Sequence, residues 1–360
     1  MLCVVTIVDS ISPTSMPVNE FVIYRCKHNF DIKQILITCN SFIPQDVLFP
    51  GGISIKIATT KKEMRAILKE IVNLCNSNND EYVFHLHHQK SAILFYKSSH
   101  GLNLSKKVLF TIHSTYSGRD LKYKLSSIYC ALKANYSNCV SKSAYLGYSK
   151  IIKSIKKEHF CYIRNGVDVE RLDSIADSTT SESKNLLLCV GRMIPLKNHI
   201  FLLHLMRKLP ERFKLLLIGK EDENKKIRTK VKELNLDSRV TFLGLLSRDE
   251  VYSHLSCARY YVSPSFVEGF PISVLEATEK GLIPVLSSIG PHDEISKECP
   301  HINCLPLDVD VWAKRIMEID GCNDDEVLKM QASISNAIKT KFSLATMHEQ
   351  YLNLYQKIIG

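Results

Sequence analysis

Along the chain, short apolar runs of strand length alternate with polar loops and with segments of helical period. Val4–Val8, Ile35–Thr38, Tyr82–Leu86, Val108–Ile112, Cys139–Ser141 and Phe160–Ile163 read as buried strands. Helical spacing marks Glu20–Lys27 and Met64–Leu74, the latter with apolar residues at 64, 67, 68, 71 and 74. The second half repeats the pattern, with strands at Leu186–Val190, Lys214–Ile218, Val240–Leu243, Arg259–Val262 and Ile283–Leu286. Between them lie helical segments near Asn198–Leu209, Lys225–Leu234, Arg248–Ser256 and Pro271–Lys280. Strands that are apolar on both faces and alternate with helices predict a parallel sheet covered on both sides. Two such series predict an α/β protein of two Rossmann-like domains facing each other across a cleft. The boundary falls between Asn165 and Ser183, where Asn165-Gly166-Val167-Asp168 reads as a turn ahead of a Ser/Thr/Glu-rich link. The amphipathic segment Leu344–Ile359 is expected to pack back on the N-terminal domain. The domains are thus drawn as 1–165 with 340–360, and 166–339.

Length agrees, since 360 residues exceed what one ordinary core holds. No run reaches the roughly 18–20 apolar residues of a membrane-spanning helix. Met1–Val8 lacks a basic leader and runs into Asp9, so it reads as a strand and not a signal peptide. Twelve scattered cysteines without a CxxC pair read as reduced thiols, and so predict a cytoplasmic protein. Cys299, His301 and Cys304, with no second cluster, are a weak metal signal. Charge is uneven: residues 1–180 hold 23 Lys/Arg against 14 Asp/Glu, and residues 181–360 hold 24 against 23. An anionic partner is therefore expected on the N-terminal half.

Ligands of parallel sheets bind at the carboxyl ends of strands. Two strand ends carry unusual residues. After Arg259–Val262 comes Ser263-Pro264-Ser265-Phe266-Val267-Glu268-Gly269-Phe270-Pro271-Ile272, with Glu276 further into the same helix. Pro271 suits a first helical position, Gly269 permits close backbone approach, and first-turn amides favour phosphate. Carboxylates facing a phosphate would repel it, so Glu268 and Glu276 suit hydroxyls. An acidic first turn complementing the helix dipole is the plainer alternative. After Leu186–Val190 come Gly191, Arg192 and, before the next helix, Lys197. Two cations at a strand end suit a diphosphate leaving group.

Gly191-Arg192-x4-Lys197 with Glu268-Gly269-Phe270-Pro271-x4-Glu276 resembles the retaining glycosyltransferases of family 4, which have the GT-B fold. The resemblance extends over nearly the whole chain, through Thr111-Ile112-His113, Cys139-Val140-Ser141, Asn165-Gly166-Val167-Asp168 and Val240-Thr241-Phe242-Leu243-Gly244. It implies catalytic or sugar-contacting roles for Arg192, Lys197, Glu268 and His113. Donor binding would fall to Gly191, Gly269, Phe270, Pro271, Ile272, Glu276 and the interdomain Asn165. Transfer would be metal-independent and need no cofactor, with a nucleotide diphosphate sugar, UDP-sugar favoured, as co-substrate. The expected acceptor is a hydroxyl of a lipid-linked glycan in cell-surface polysaccharide synthesis (O-antigen, capsule or exopolysaccharide). Location would be peripheral, on the inner face of the cytoplasmic membrane. An inactive GT-B-like scaffold and a GT-B-fold epimerase are the alternatives.

Two departures stand out. The family's first-loop Gly-Gly pair is replaced by Ser12-Pro13-Thr14-Ser15-Met16-Pro17, and Lys220 follows Ile218-Gly219. His85, His87 and His88 form a group without an acidic or cysteine partner, which favours a cleft-lining or structural role over metal. Ala144–Glu158 reads as one basic amphipathic helix, with Tyr145, Tyr148, Ile151, Ile152 and Ile155 among Lys150, Lys153, Lys156 and Lys157. Such a helix suits an anionic membrane surface. The basic half lacks a stacking motif of aromatics interleaved with Lys and Arg, so nucleic acid is not expected.

Overall fold

The computed structural model describes residues 1–11, 17–28, 31–43, 49, 51–102, 104, 107–116, 118–175, 183–221 and 225–360. The Ser12–Met16 loop expected to depart from the family lies outside them. Two compact units result: Met1–Asn165 with Leu344–Gly360, and Gly166–Ser343.

Unit 1 holds seven parallel strands: β1 (Leu2–Val8), β2 (Ile32–Thr38), β3 (Ile53–Ile57), β4 (Glu81–Leu86), β5 (Val108–Ile112), β6 (Tyr136–Cys139) and β7 (Phe160–Tyr162). Their order is β3-β2-β1-β4-β5-β6-β7, with Val4 paired to both Gln34 and Val83. Every residue of β5, and all of β1 after Leu2, is buried, as helices on both faces require. The edge strand β3, half exposed with its alternating ISIKI, adds to the strands expected. The helix Lys61–Ser77 begins in a Thr60/Glu63 capping box and buries Met64, Leu68, Ile71 and Cys75 at helical spacing.

The helix Leu344–Ile359 closes unit 1, packing Tyr351, Leu354, Tyr355 and Ile358 with Phe21, Val4, Val83 and Leu109. Beneath it runs a buried hydrogen-bond chain whose direction is fixed. Arg25 donates to the Tyr355 hydroxyl (3.1 Å), and because Thr111 spends its proton on Asn138 Oδ1, neutral His85 must donate from Nε2 and accept the Tyr355 proton at Nδ1 (2.8 Å). His85 Nε2–H then donates to Thr111 (2.7 Å), Thr111 to Asn138 Oδ1 (2.6 Å), and Asn138 Nδ2 to Tyr351 (3.0 Å). His85 thus has a structural role and stays neutral: burial first, then Arg25, holds its pKa well below the usual value.

Unit 2 holds six parallel strands: β8 (Ser183–Val190), β9 (Lys214–Ile218), β10 (Val240–Gly244), β11 (Ala258–Ser263), β12 (Ile283–Ser287) and β13 (Asn303–Leu305), ordered β10-β9-β8-β11-β12-β13. Trp312 is fully buried, its ring against Phe201 and its indole N–H on Pro306 O at 2.8 Å. The strand order reverses between β8 and β11, as it does between β1 and β4 in unit 1. The crevice at such a reversal is where open parallel sheets take ligands.

Two sequence expectations are corrected. The strand drawn at Cys139–Ser141 ends at Cys139, and Ser141 instead caps the next helix by accepting from Ala144 N at 3.1 Å. The single helix over Ala144–Glu158 is two, Lys142–Gly147 and Lys150–Lys156, broken where Tyr148 is extended. Tyr148 and Ile152 enter the core, Ile151 and Ile155 stay exposed, and Lys156 is buried, donating to the Ala134 and Asn135 carbonyls. Burial pushes the Lys156 ammonium down to about 8.

Candidate active site

The reversal point of unit 2 gathers the residues singled out by sequence. Gly191 follows β8 and is held by its N–H on Ile218 O (2.8 Å), while Met193 N–H donates to Lys220 O (2.9 Å). The end of β8 is thus tied to the end of β9. Gly219 underlies this tie with φ +141°, and a Cβ there would lie 2.1 Å from Gly191 O. Only glycine fits.

Arg192 is exposed and makes no ion pair among the described residues. Pro195–Lys197 form a single 3-10 turn, and Asn198 takes the left-handed conformation before the helix His199–Lys208. The Lys197 stem runs over Gly191, its Cε 3.6 Å from where a Cβ would stand. Phe266 N–H donates to Leu196 O at 2.9 Å, bringing the loop after β11 against this turn.

That contact sets the central pair. Lys197 Nζ donates to Glu268 Oε1 at 2.6 Å, and Ser265 Oγ donates to the same oxygen at 2.7 Å. Ser265 is itself held through its carbonyl by Ser287 Oγ at 2.6 Å. Behind them His292 donates from Nδ1 to Ser287 O at 2.8 Å, leaving its Nε2 a buried acceptor without a partner. Burial keeps His292 neutral despite the opposing pull of Glu268. His199, two residues beyond Lys197, is buried with neither ring nitrogen bonded among the described residues, and burial pushes it down to about 4.

The helix Ile272–Glu279 starts one residue later than sequence suggested, with Pro271 at its cap. Phe270 and Pro271 are buried, and the Phe270 ring packs on Phe342. Any ligand contact they make is therefore through backbone. Glu276 is buried and bonded by Arg248 and by the Tyr252 hydroxyl (2.9 Å) on one oxygen. Tyr252 in turn accepts from Arg248 Nε at 2.7 Å. Sequence reasoning passed over Arg248 and Tyr252, because Ser247-Arg248-Asp249-Glu250 reads as a capping box with a solvated arginine. Ser265 and His292 carried no spacing signal at all.

The remaining candidates lie elsewhere. Asn165 is buried at the end of unit 1, and Val167 N–H pairs with Phe342 O (2.8 Å) as the chain enters unit 2. Asp168 caps the helix Val169–Ser174. His113 belongs to unit 1, where its Nε2 meets His87 Nδ1 at 3.0 Å and His88 stacks on its ring. Burial, then His88, pushes His113 down to about 3, so the group is neutral. Among the described residues no cluster of three or more His, Cys, Asp or Glu is arranged to hold a metal ion.

Residues 170–340 match the family model "Glycosyl transferases group 1". A Dictyostelium discoideum GDP-Man:Man(3)GlcNAc(2)-PP-Dol alpha-1,2-mannosyltransferase is 28% identical over 194 residues, 49% of this chain and 38% of the relative. A Xanthomonas oryzae GDP-mannose:cellobiosyl-diphosphopolyprenol alpha-mannosyltransferase is 30% identical over 141 residues, 38% of this chain and 36% of the relative. The chain thus spans little more than a third of the length of either. The crystal structure of Anabaena HepE with UDP and glucose superposes with a TM-score of 0.78 over 99% of each chain, at 14% identity. The chain has the GT-B fold, and its residues 170–340 are similar to the group 1 glycosyl transferases.

Proposed function

We propose that the chain transfers one sugar from a nucleotide diphosphate sugar, UDP-sugar favoured, to a hydroxyl of a lipid-linked glycan, with retention at the anomeric carbon. One observation carries this reading. At the reversal point of unit 2 an unpaired Arg192 stands with the Lys197–Glu268 pair, where a leaving diphosphate gains negative charge. Arg192 and Lys197 hold the diphosphate, Glu268 meets the transferred sugar, and Glu276 meets the ribose. The amides of Gly269 and Ile272 supply further donors. Catalysis is positioning plus electrostatic stabilisation, and no cofactor enters.

Unit 1 takes the acceptor, and His113 is the residue of that unit assigned to the sugar. Leu121, Leu125, Leu146, Ile151 and Ile155 are exposed on unit 1 among lysines, which supports peripheral attachment to an anionic bilayer at the inner face of the cytoplasmic membrane. The diphosphate-lipid acceptors named for the two mannosyltransferases support the same class of acceptor here. The test is a thermal-shift screen of UDP-, GDP-, ADP- and dTDP-sugars followed by nucleotide release. A donor at 100 times its Kd should add about 2.7 kcal/mol. A flat response to all four would overturn the reading, and binding without nucleotide release would leave a scaffold.

A further inference from the structure

We propose that unit 1 carries a second anion site, sharing no residue with the donor site of unit 2, that takes the phosphate head of an amphiphile. A cavity of about 500 Å³ opens at the amino-terminal end of β5, between the start of the helix Lys61–Ser77, the end of the helix Gln89–Ser99 and the helix Leu121–Lys133. That volume suits a small ligand. Lys61, Lys97, His100 and Lys133 stand around it, and no carboxylate is among the described residues that line it.

Two features separate this cavity from an ordinary lysine-bearing surface. First, the three ammonium groups make no hydrogen bond or ion pair among the described residues and, unlike Lys69 and Lys122, which also make none, they share one cavity. Lys107, at the same strand end, bonds Glu81 at 2.6 Å, and Lys56 bonds Glu70 at 2.6 Å. Unpaired like charges around one cavity repel each other until an anion enters. Second, the wall is aromatic and stiff. Tyr96 stands edge-on to Phe95 (5.5 Å) and to Tyr129 (6.1 Å), and its hydroxyl is fixed on Cys130 O at 3.1 Å. A free inorganic anion has no use for such a wall, but the glycerol and first methylenes of a phospholipid do.

The exposed apolar stripe of the helix Leu121–Lys133 fixes the direction of approach. Leu121, Leu125, Tyr129 and Leu132 follow one another at helical spacing with 42–70% of their surface exposed, and that helix carries three lysines and no acid. Tyr129 belongs to both the stripe and the cavity wall. The acyl chains lie along the stripe and the phosphate is drawn between Lys97 and Lys133. The anion site shares no residue with the donor site of unit 2, while its stripe rests on the bilayer reading above, which already uses Leu121 and Leu125.

The test is calorimetric titration of the full chain with dihexanoyl phosphatidate below its micellar concentration, and separately with inorganic phosphate. Saturable binding of one phosphatidate per chain is expected. Lys97→Gln/Lys133→Gln should weaken it about tenfold or more, through lost charge-assisted bonds. The matched pair Lys69→Gln/Lys122→Gln, outside the cavity, should change it less than about twofold. All four positions are exposed, so folding is not at risk. Phosphate binding as tightly as phosphatidate, with the same loss in the cavity pair, would retain the anion site and assign it to a free phosphate ester. No saturable binding of either, or equal losses in the two variant pairs, would overturn the proposal.

Discussion

Lys197 and Glu268 share one short hydrogen bond, 2.6 Å from ammonium to carboxylate. The cation suited to a phosphate and the carboxylate suited to a sugar are therefore a single unit before any ligand arrives. On the proposed function, an incoming diphosphate would meet Arg192 and draw Lys197 partly away from Glu268. Ser265 keeps the carboxylate in place meanwhile.

Lys197→Ala should lower nucleotide-sugar turnover by about 2–4 kcal/mol in the transition state, comparable to losing one oxyanion donor. Because the pair acts as a unit, Lys197→Ala/Glu268→Ala should be little worse than the poorer single variant. Initial rates of nucleotide release for the four proteins test this, and strict additivity would count against a coupled pair.

Arg248→Ala leaves the buried Glu276 with one donor fewer. A cost on the order of 1–3 kcal/mol is expected, read as a lowered melting temperature. If Glu276 also meets the ribose, the variant should raise the KM for donor more than it lowers kcat. Tyr252→Phe should show the same pattern more weakly.

Glu279 is buried beside Lys339 (3.2 Å), and burial lifts its carboxyl to about 7, against the pull of Lys339. Between about 4.5 and 7 the folded chain keeps a proton that the unfolded chain has lost, so this group's contribution falls as pH rises, by on the order of 2–3 kcal/mol at most. The neutral histidines work the other way. His85 and His87 are held well below 6.5 by burial, so below that pH the unfolded chain gains protons and wild-type stability drops. Glu279→Gln removes only the first slope. Its melting temperature relative to wild type should therefore be higher at pH 8 than at pH 5, and a pH-independent difference would contradict the assignment.

Gly219→Ala places a methyl group into Gly191 O at a backbone angle that resists a side chain. It should cost more than roughly 3 kcal/mol or abolish soluble expression. Lys220→Ala, next along, should be nearly silent in stability. Urea unfolding of both variants separates backbone geometry from side-chain chemistry.

The fold was legible because buried parallel strands leave uninterrupted apolar runs, as in Val108–Ile112 and Lys214–Ile218. The half-exposed β3 and the three-residue β13 fall short of that signal. At the candidate site, the backbone demand that constrains residue type falls on Gly219, which the sequence shows between Ile218 and Lys220. The partners Arg248 and His292 were not legible, because they reach the site through tertiary packing, and Ser265, three residues from Glu268, has no residue pattern to mark its hydroxyl as a carboxylate donor. The basic helix failed for a related reason. A stretch whose apolar residues recur at 145, 148, 151, 152 and 155 does not reveal that Tyr148 ends one helix, nor that Ile152 and Lys156 turn inward while Ile151 turns out.

The hydrogen-bond chain beneath the helix Leu344–Ile359 bears on the order in which the molecule is made. His85, Thr111 and Asn138 leave the ribosome more than two hundred residues before Tyr351 and Tyr355, which complete their bonding. Until then the first unit has a buried histidine without its proton donor and an apolar sheet face without its cover. The second unit, Gly166–Ser343, is synthesised whole in that interval. The domain that begins first therefore finishes last, and the protein matures from its middle outward.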